Sequence, residues 1–209
     1  MRKKSEFIPT QMITFLGNVI DSVSITVTLP KEKVDQIKDE CLRLQKKKKT
    51  SIREVSRIIG ILVSSFSAVD YGNLHYRILE KEKYYALKKS FGNYDAYINV
   101  TNNMKSELKW WLDNIHSQKR VIDRGNADNS ITTDASLEGW GAVETFDGNI
   151  KANGRWNQEE KDYHINYLEL LAILFALKTL CKETNSLHVQ ILTDNTTAVA
   201  HINNLIKTF

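Results

Sequence analysis

Little in this sequence suggests covalent or membrane anchorage: its 209 residues include two cysteines and two prolines. Cys41 and Cys181 share no metal-type spacing and do not suggest a disulfide framework, so both are expected to be core thiols in a reducing, intracellular setting. The longest apolar runs, residues 58–66 and 167–177, fall short of the ~20 residues that a membrane-spanning helix needs. The basic start Met1-Arg-Lys-Lys-Ser-Glu-Phe-Ile-Pro9 is followed by no apolar signal region. These absences predict a soluble chain, cytoplasmic or nuclear or both, with no membrane partner. Internal repeats and low-complexity tracts are also missing.

What is present is divided by charge. Residues 1–125 carry 23 Lys and Arg against 14 Asp and Glu, a net +9, whereas residues 126–209 carry 6 against 11, a net −5. The polar stretch His116-Ser-Gln-Lys-Arg-Val-Ile-Asp-Arg-Gly-Asn126 holds the one clear change of composition, which places a domain boundary near residue 125. At 42% hydrophobic content the chain can bury two small cores, one per part. A basic part beside an acidic part suits nucleic-acid chemistry, one neutralising phosphates and the other holding cations. The plainer alternative is a helical half with many solvated lysines.

Three acids stand where a folded chain normally avoids charge. Asp134 lies in the β-branched run Ser130-Ile-Thr-Thr-Asp-Ala-Ser136; Glu169 interrupts the apolar helix candidate at residues 167–177; Asp194 ends the strand candidate His188-Val-Gln-Ile-Leu-Thr193. An ionised carboxylate buried in such elements costs several kcal/mol unless a cation or donor offsets it, so each has its own partner or all share one. Grouped oxygen ligands suit Mg²⁺ or Mn²⁺. Strands are expected at residues 131–136, 140–145 and 149–156, then a helix from a cap at Asn166 through Cys181, then a strand at 189–193. A helix between strands allows the last strand to run parallel to the first, forming a mixed sheet that sets Asp194 near Asp134. Gly139 and Gly141 would permit close backbone approach. His164, with no His or Cys partner spaced to join it, reads as structural or capping.

The order acid on strand, Glu on helix, acid at a strand end, in the texts Thr133-Asp-Ala-Ser-Leu-Glu-Gly-Trp-Gly-Ala142, Leu168-Glu-Leu-Leu-Ala172 and Leu192-Thr-Asp-Asn-Thr196, resembles the ribonuclease H domain of reverse transcriptases. The wording His164-Ile-Asn-Tyr-Leu-Glu-Leu-Leu-Ala172 and Thr193-Asp-Asn-Thr-Thr-Ala-Val199 looks closest to retroelements of the DIRS type. The resemblance implies an α/β RNase H-like domain at 126–209 that hydrolyses the RNA strand of RNA·DNA hybrids. It implies two Mg²⁺ or Mn²⁺ ions held by Asp134, Glu169 and Asp194, with Asp134 bridging. Asn195 and the backbone around Ala135-Ser136 become candidates for reading the RNA 2′-hydroxyl. Domains of this family continue to a further strand, a His-bearing segment and a helix with a fourth acid. The text here stops at Phe209, so the expectation is a C-terminally truncated polyprotein fragment with an incomplete two-ion site and weak or absent nuclease activity. The alternative class is a non-catalytic nucleic-acid-binding fragment. Integrase-like and transposase nucleases fit less well, because their Glu usually comes last.

By the same resemblance, the first 125 residues are expected to be the end of a palm, a thumb and connection helices, an α+β region. Lys4-Ser-Glu-Phe7 and Phe15-Leu-Gly17 resemble the palm end and primer-grip hairpin, which implies primer contact by Phe15, Leu16 and Gly17. The polymerase turn Tyr/Phe-x-Asp-Asp is absent, so the chain is not expected to polymerise DNA by itself. Strands are expected at 13–20 and 24–29 with a turn at Asp21-Ser22. Pro30 at the first helical position should open a helix with Val34, Ile37, Cys41 and Leu44 inward. Lys46, Lys47, Lys48 and Lys49 follow as a solvated loop that can also face duplex phosphates. Ser51-Ile-Arg-Glu54 reads as a capping box for a second helix with Ile52, Val55, Ile59, Leu62, Val63 and Phe66 inward. The aromatic residues from Tyr71 to Tyr97 can stack bases, yet more often such residues cap a small core, and core is the preferred reading. Thr101 caps a helix with the stripe Leu108, Trp111, Leu112 and Ile115, leaving Trp110 to pack on the next domain.

Overall fold

In the computed structural model, residues 8–123, 125–145, 150–183 and 187–206 are described, with side chains as far as Asn203. The Lys4-Ser-Glu-Phe7 resemblance and the Asn149 start of a third strand lie outside the described residues. The fold is mixed α and β, and the chain divides into two units, the first running to Asp123 and the second spanning Arg124–Asn204.

The first unit opens with an antiparallel sheet. β1 (Met12–Phe15) and β2 (Asn18–Asp21) pair across Leu16-Gly17, and β3 (Thr26–Thr28) lies beside β2. A single strand over 13–20 is thus corrected to two. Leu16 (φ 48°) and Gly17 (φ 77°) supply the two positive angles that a tight hairpin turn of the right twist requires. Asp21 then accepts from the N–H groups of Val23 and Ser24 and turns the chain again. β6 (Arg120–Val121) pairs with β3, so part of the expected polar linker is a sheet strand. Its partner is distant in sequence, and no local pattern announces the pairing.

The helices follow their apolar spacing. α1 (Lys31–Gln45) and α2 (Ile52–Val63) bury Ile37, Cys41 and Leu44 against Ile52, Val55, Ile58, Ile59 and Leu62. Each such side chain fully buried is worth about 1.5–3 kcal/mol, which offsets the ordering of the chain around it. Pro30 is the N-cap of α1 rather than its first residue, and its carbonyl accepts from Lys33 and Val34. Ser51 accepts from the Glu54 N–H (3.2 Å), but the reciprocal half of the capping box is not made. The Glu54 carboxylate is taken by Arg43, Lys47 and Thr50 instead. Val63, expected to face inward, is 44% exposed at the helix end.

Between α1 and α2 lies β4 (Lys49–Ser51), paired with β5 (Tyr97–Asn99). α3 (Arg77–Lys89) has no side-chain cap of its own. Glu107 of α4 (Asn102–Asn114) supplies one, its buried carboxylate accepting from Ile78 and Leu79 N–H groups at 3.1 and 3.2 Å. Burial is the main cause pushing the Glu107 carboxyl up from the ordinary range, and those two N–H bonds partly oppose it. Thr101 caps α4 as expected, and Leu108, Trp111 and Ile115 are buried. Trp110 stacks on His75, ring centres 3.9 Å apart, within the first unit. The core assignment of the tyrosine-rich stretch is corrected as well: Tyr71, Tyr84, Tyr85, Phe91, Tyr94 and Tyr97 are all exposed, and Tyr76 alone among that set packs against the core, beside Phe66.

The second unit is a four-stranded mixed sheet in the order β10-β7-β8-β9. β7 (Asn129–Ala135), β8 (Gly139–Glu144) and β9 (Lys151–Arg155) are antiparallel, and β10 (Val189–Leu192) runs parallel to β7. α5 (Ile165–Leu180) packs on the sheet and α6 (Thr196–Ile206) follows β10. Ile131 and Ala142 meet Ala176, while Leu168 and Ala172 meet Trp156. Leu168, Ala172 and Ala176 recur every fourth residue, which fixes the face of α5 laid on the sheet. No helix among the described residues is long and apolar enough to cross a membrane.

Candidate active site

Asp134 lies one residue before the end of β7, opposite Gly141 of β8. The parallel register pairs Leu192 of β10 with Thr132 of β7. Continued by two residues, that register brings Asp194 level with Asp134. Glu169 arrives from the first turns of α5, one position beyond Leu168, and is 4% exposed. One carboxylate oxygen from each of Asp134, Glu169 and Asp194 lies within 4.8 Å of the others. It is the one group of three or more potential ligand side chains of this kind among the described residues.

The electrostatics of this cluster are unfavourable without a cation. Burial pushes the Glu169 carboxyl up from the ordinary carboxylate range, and the neighbouring charges of Asp134 and Asp194 push it the same way. The Ala135 N–H and the Thr193 hydroxyl oppose that shift only in part. The second Glu169 oxygen, Oε2, is buried and has no hydrogen-bond partner. An orphaned acceptor beside two further carboxylates calls for positive charge, and three grouped oxygens suit a hard divalent cation better than a single proton, which could neutralise only one of the three. The donor set therefore fits Mg²⁺ or Mn²⁺.

The surroundings are built by local hydrogen bonds. His164 is the N-cap of α5, its Nδ1 accepting from the Asn166 N–H at 3.2 Å, in keeping with a capping role. Asn166 is not the cap that its sequence position suggested. Its Oδ1 accepts from Asn195 Nδ2 at 3.0 Å, while Asn195 Oδ1 accepts from the Ala198 N–H at 2.8 Å and caps α6. The Asn195 side chain is therefore engaged inside the domain at both ends, which leaves little of it for a 2′-hydroxyl. Ser136 is likewise occupied, its Oγ accepting from Glu138 and Gly139 N–H groups in the β7–β8 turn. Asn166 and Thr193 were missed as site-building residues, and nothing in their local sequence marks them. Gly139 needs its missing side chain, because a Cβ there would collide with the Gly154 carbonyl, whereas a Cβ on Gly141 meets nothing within 4 Å. Of the two glycines expected to allow close approach, only Gly139 does so within the sheet.

The remaining residues singled out in the sequence lie in the first unit. Phe15 and Leu16 are 57% and 83% exposed at the hairpin tip with Gly17. Lys47 is paired with Glu54 at 2.7 Å, Lys49 sits 5.4 Å from the centre of the Tyr97 ring, and Lys46 and Lys48 are exposed.

Residues 125–204 match the family model of the RNase H-like domain found in reverse transcriptase. No curated protein matches the chain. Among solved structures, the foamy viral protease-reverse transcriptase in complex with RNA/DNA hybrid is similar at 13% identity and a TM-score of 0.44, over 93% of this chain and 28% of that one. The same viral protein in complex with dsDNA aligns at 16% identity and a TM-score of 0.43, over 96% of this chain and 40% of that one. Its dRH form in complex with ds DNA aligns at 16% identity and a TM-score of 0.42, over 87% and 30% respectively. The chain thus spans well under half the length of these structures.

Proposed function

We propose that the second unit is a metal-dependent endoribonuclease domain that hydrolyses the RNA strand of RNA·DNA hybrids. The observation that carries this reading is the convergence of Asp134, Glu169 and Asp194 within 4.8 Å, with a buried Glu169 oxygen lacking any partner. Asp134, Glu169 and Asp194 would hold Mg²⁺ or Mn²⁺ through their carboxylate oxygens. When bound, a pair of such ions supplies an activated water and charge stabilisation of the leaving oxygen. The chain's own contribution is positional. Strand register aligns the two aspartates, α5 delivers Glu169 to the same point, and the open space beside Gly141 leaves room next to Asp134.

The first unit would serve as a nucleic-acid grip. Its net +9 charge over residues 1–125 supplies the counterion-releasing contacts that phosphate binding needs, with Lys46, Lys48 and Lys49 as candidates. Lys47 contributes less, because Glu54 already holds it. Phe15, Leu16 and Gly17 present an exposed hairpin tip of the kind a primer strand would meet. The polypeptide would belong to a retroelement polyprotein as palm end, thumb and connection followed by RNase H. A DIRS-type origin is supported by the texts at residues 164–172 and 193–199.

The test is cleavage of end-labelled RNA·DNA hybrid in Mg²⁺ and in Mn²⁺, beside single-stranded RNA and duplex DNA. Metal-dependent cleavage of the hybrid alone, abolished by Asp134→Asn, is the expected result. Hybrid binding without cleavage in either metal would replace the nuclease reading with that of a binding fragment. Cleavage surviving Asp134→Asn would remove the proposed site.

A further inference from the structure

Three tyrosines of the first unit stand in solvent around one open groove. Tyr84 and Tyr85, on α3, are 59% and 56% exposed, and Tyr94, in the loop that follows, is 43% exposed. With Arg77, Lys81 and Lys83 they line a groove of about 570 Å³ in which Glu80 is the one acid. Tyr84 and Tyr85 form an edge-to-face pair, ring centres 5.5 Å apart. The Arg53 guanidinium lies 6.0 Å from the Tyr94 ring centre and is itself fixed by two bonds to Asp95, at 2.8 and 3.0 Å. Lys83 is tied to Glu80 at 2.9 Å, which leaves the charge of Arg77 and Lys81 as the groove's surplus.

Clustered, exposed aromatic side chains mark an interaction surface more often than an accident of packing. The chemistry here narrows the partner. Aromatic rings stack on planar, unpaired bases, and adjacent cations take the phosphates that join them. A duplex hides its base faces and offers the rings nothing to stack on. An acidic peptide offers charge without planar faces, and a neutral sugar offers a face without charge. We propose that this groove binds single-stranded nucleic acid, bases stacking on Tyr84, Tyr85 and Tyr94 and phosphates meeting Arg77 and Lys81. The site is independent of the carboxylate cluster and of the nuclease reading, since neither Asp134, Glu169 nor Asp194 takes part in it.

The experiment is fluorescence anisotropy of the full chain with labelled oligouridine, oligothymidine and an RNA·DNA hybrid, at one fixed salt concentration. The double variant Tyr84→Leu/Tyr85→Leu keeps the apolar bulk and removes the rings at exposed positions. It should lose single-strand affinity by about tenfold or more, the order expected for stacked bases, with hybrid affinity unchanged. Tyr84→Phe/Tyr85→Phe, which keeps the rings, should bind as the parent does. Binding of oligouridine and oligothymidine alike, or of one of them, supports the proposal and reports whether the 2′-hydroxyl matters. The proposal is overturned if the Leu variant binds single strands as the parent does, if single-strand and hybrid affinity fall together, or if polyglutamate displaces oligouridine as well as unlabelled oligouridine does.

Discussion

Asn195 donates its side-chain amide to Asn166 across 3.0 Å, joining the residue after Asp194 to the first turn of the helix that carries Glu169. Two metal-ligand candidates from distant parts of the sequence are thereby held in register by a bond that includes neither of them. Asn166→Ala removes the acceptor and leaves the α6 cap intact. The expected result is a stability loss of about 0.5–1.5 kcal/mol together with weaker Mn²⁺ binding by calorimetry. Unchanged metal affinity would show that the pair serves folding alone.

Glu169→Gln separates a ligand from a self-sufficient buried acid. The folded-state carboxyl is raised above its ordinary value, so the metal-free domain loses stability as pH rises from the unfolded value of 4.5 toward the folded one. At neutral pH the charge therefore works against the fold. The variant should melt at a higher temperature than the parent without metal and gain less from added Mn²⁺. Equal stabilisation of parent and variant by Mn²⁺ would exclude Glu169 as a ligand.

The two glycines of β8 should behave oppositely. Gly139→Ala places a Cβ against the Gly154 carbonyl and the Arg155 Cα, and overpacking of this kind costs about 1–3 kcal/mol. Gly141→Ala meets nothing within 4 Å and should leave thermal stability nearly unchanged. If the space beside Asp134 receives substrate, Gly141→Ala will still slow hybrid cleavage. Chemical denaturation of both variants, with the cleavage assay on the second, checks the pair.

Glu40 offers a pH-dependent prediction in the first unit. The Arg57 guanidinium is the main cause holding its carboxyl at about 2, with Arg43 adding to it, against an ordinary 4.5. A depressed value means that the stabilisation is fully present above pH 4.5 and is lost as pH falls toward 2. Glu40→Gln should cost about 1–2 kcal/mol at neutral pH and flatten the acid limb of the stability curve. Denaturant titrations across that window would show it, and parallel curves for parent and variant would refute the assignment.

Much of this protein could be read locally. The spacing of Ile37, Cys41 and Leu44, the caps at Ser51 and Thr101, and the β-branched run around Ile131 report short-range preferences, and each element they foretold is present within a few residues. The three acids were conspicuous for the same reason, as charges set in apolar text. Other features required the assembled chain. The β4–β5 and β3–β6 pairings join segments with no mutual signal, and the exposure of Tyr84, Tyr85 and Tyr94 depends on which face of α3 the core leaves uncovered. Composition cannot distinguish a tyrosine that fills a core from one that borders a groove. A sequence can show that Asp134, Glu169 and Asp194 are out of place singly. Their meeting depends on a parallel strand register and on the face of α5 laid against the sheet, because carboxylates repel and only packing elsewhere in the domain holds them together.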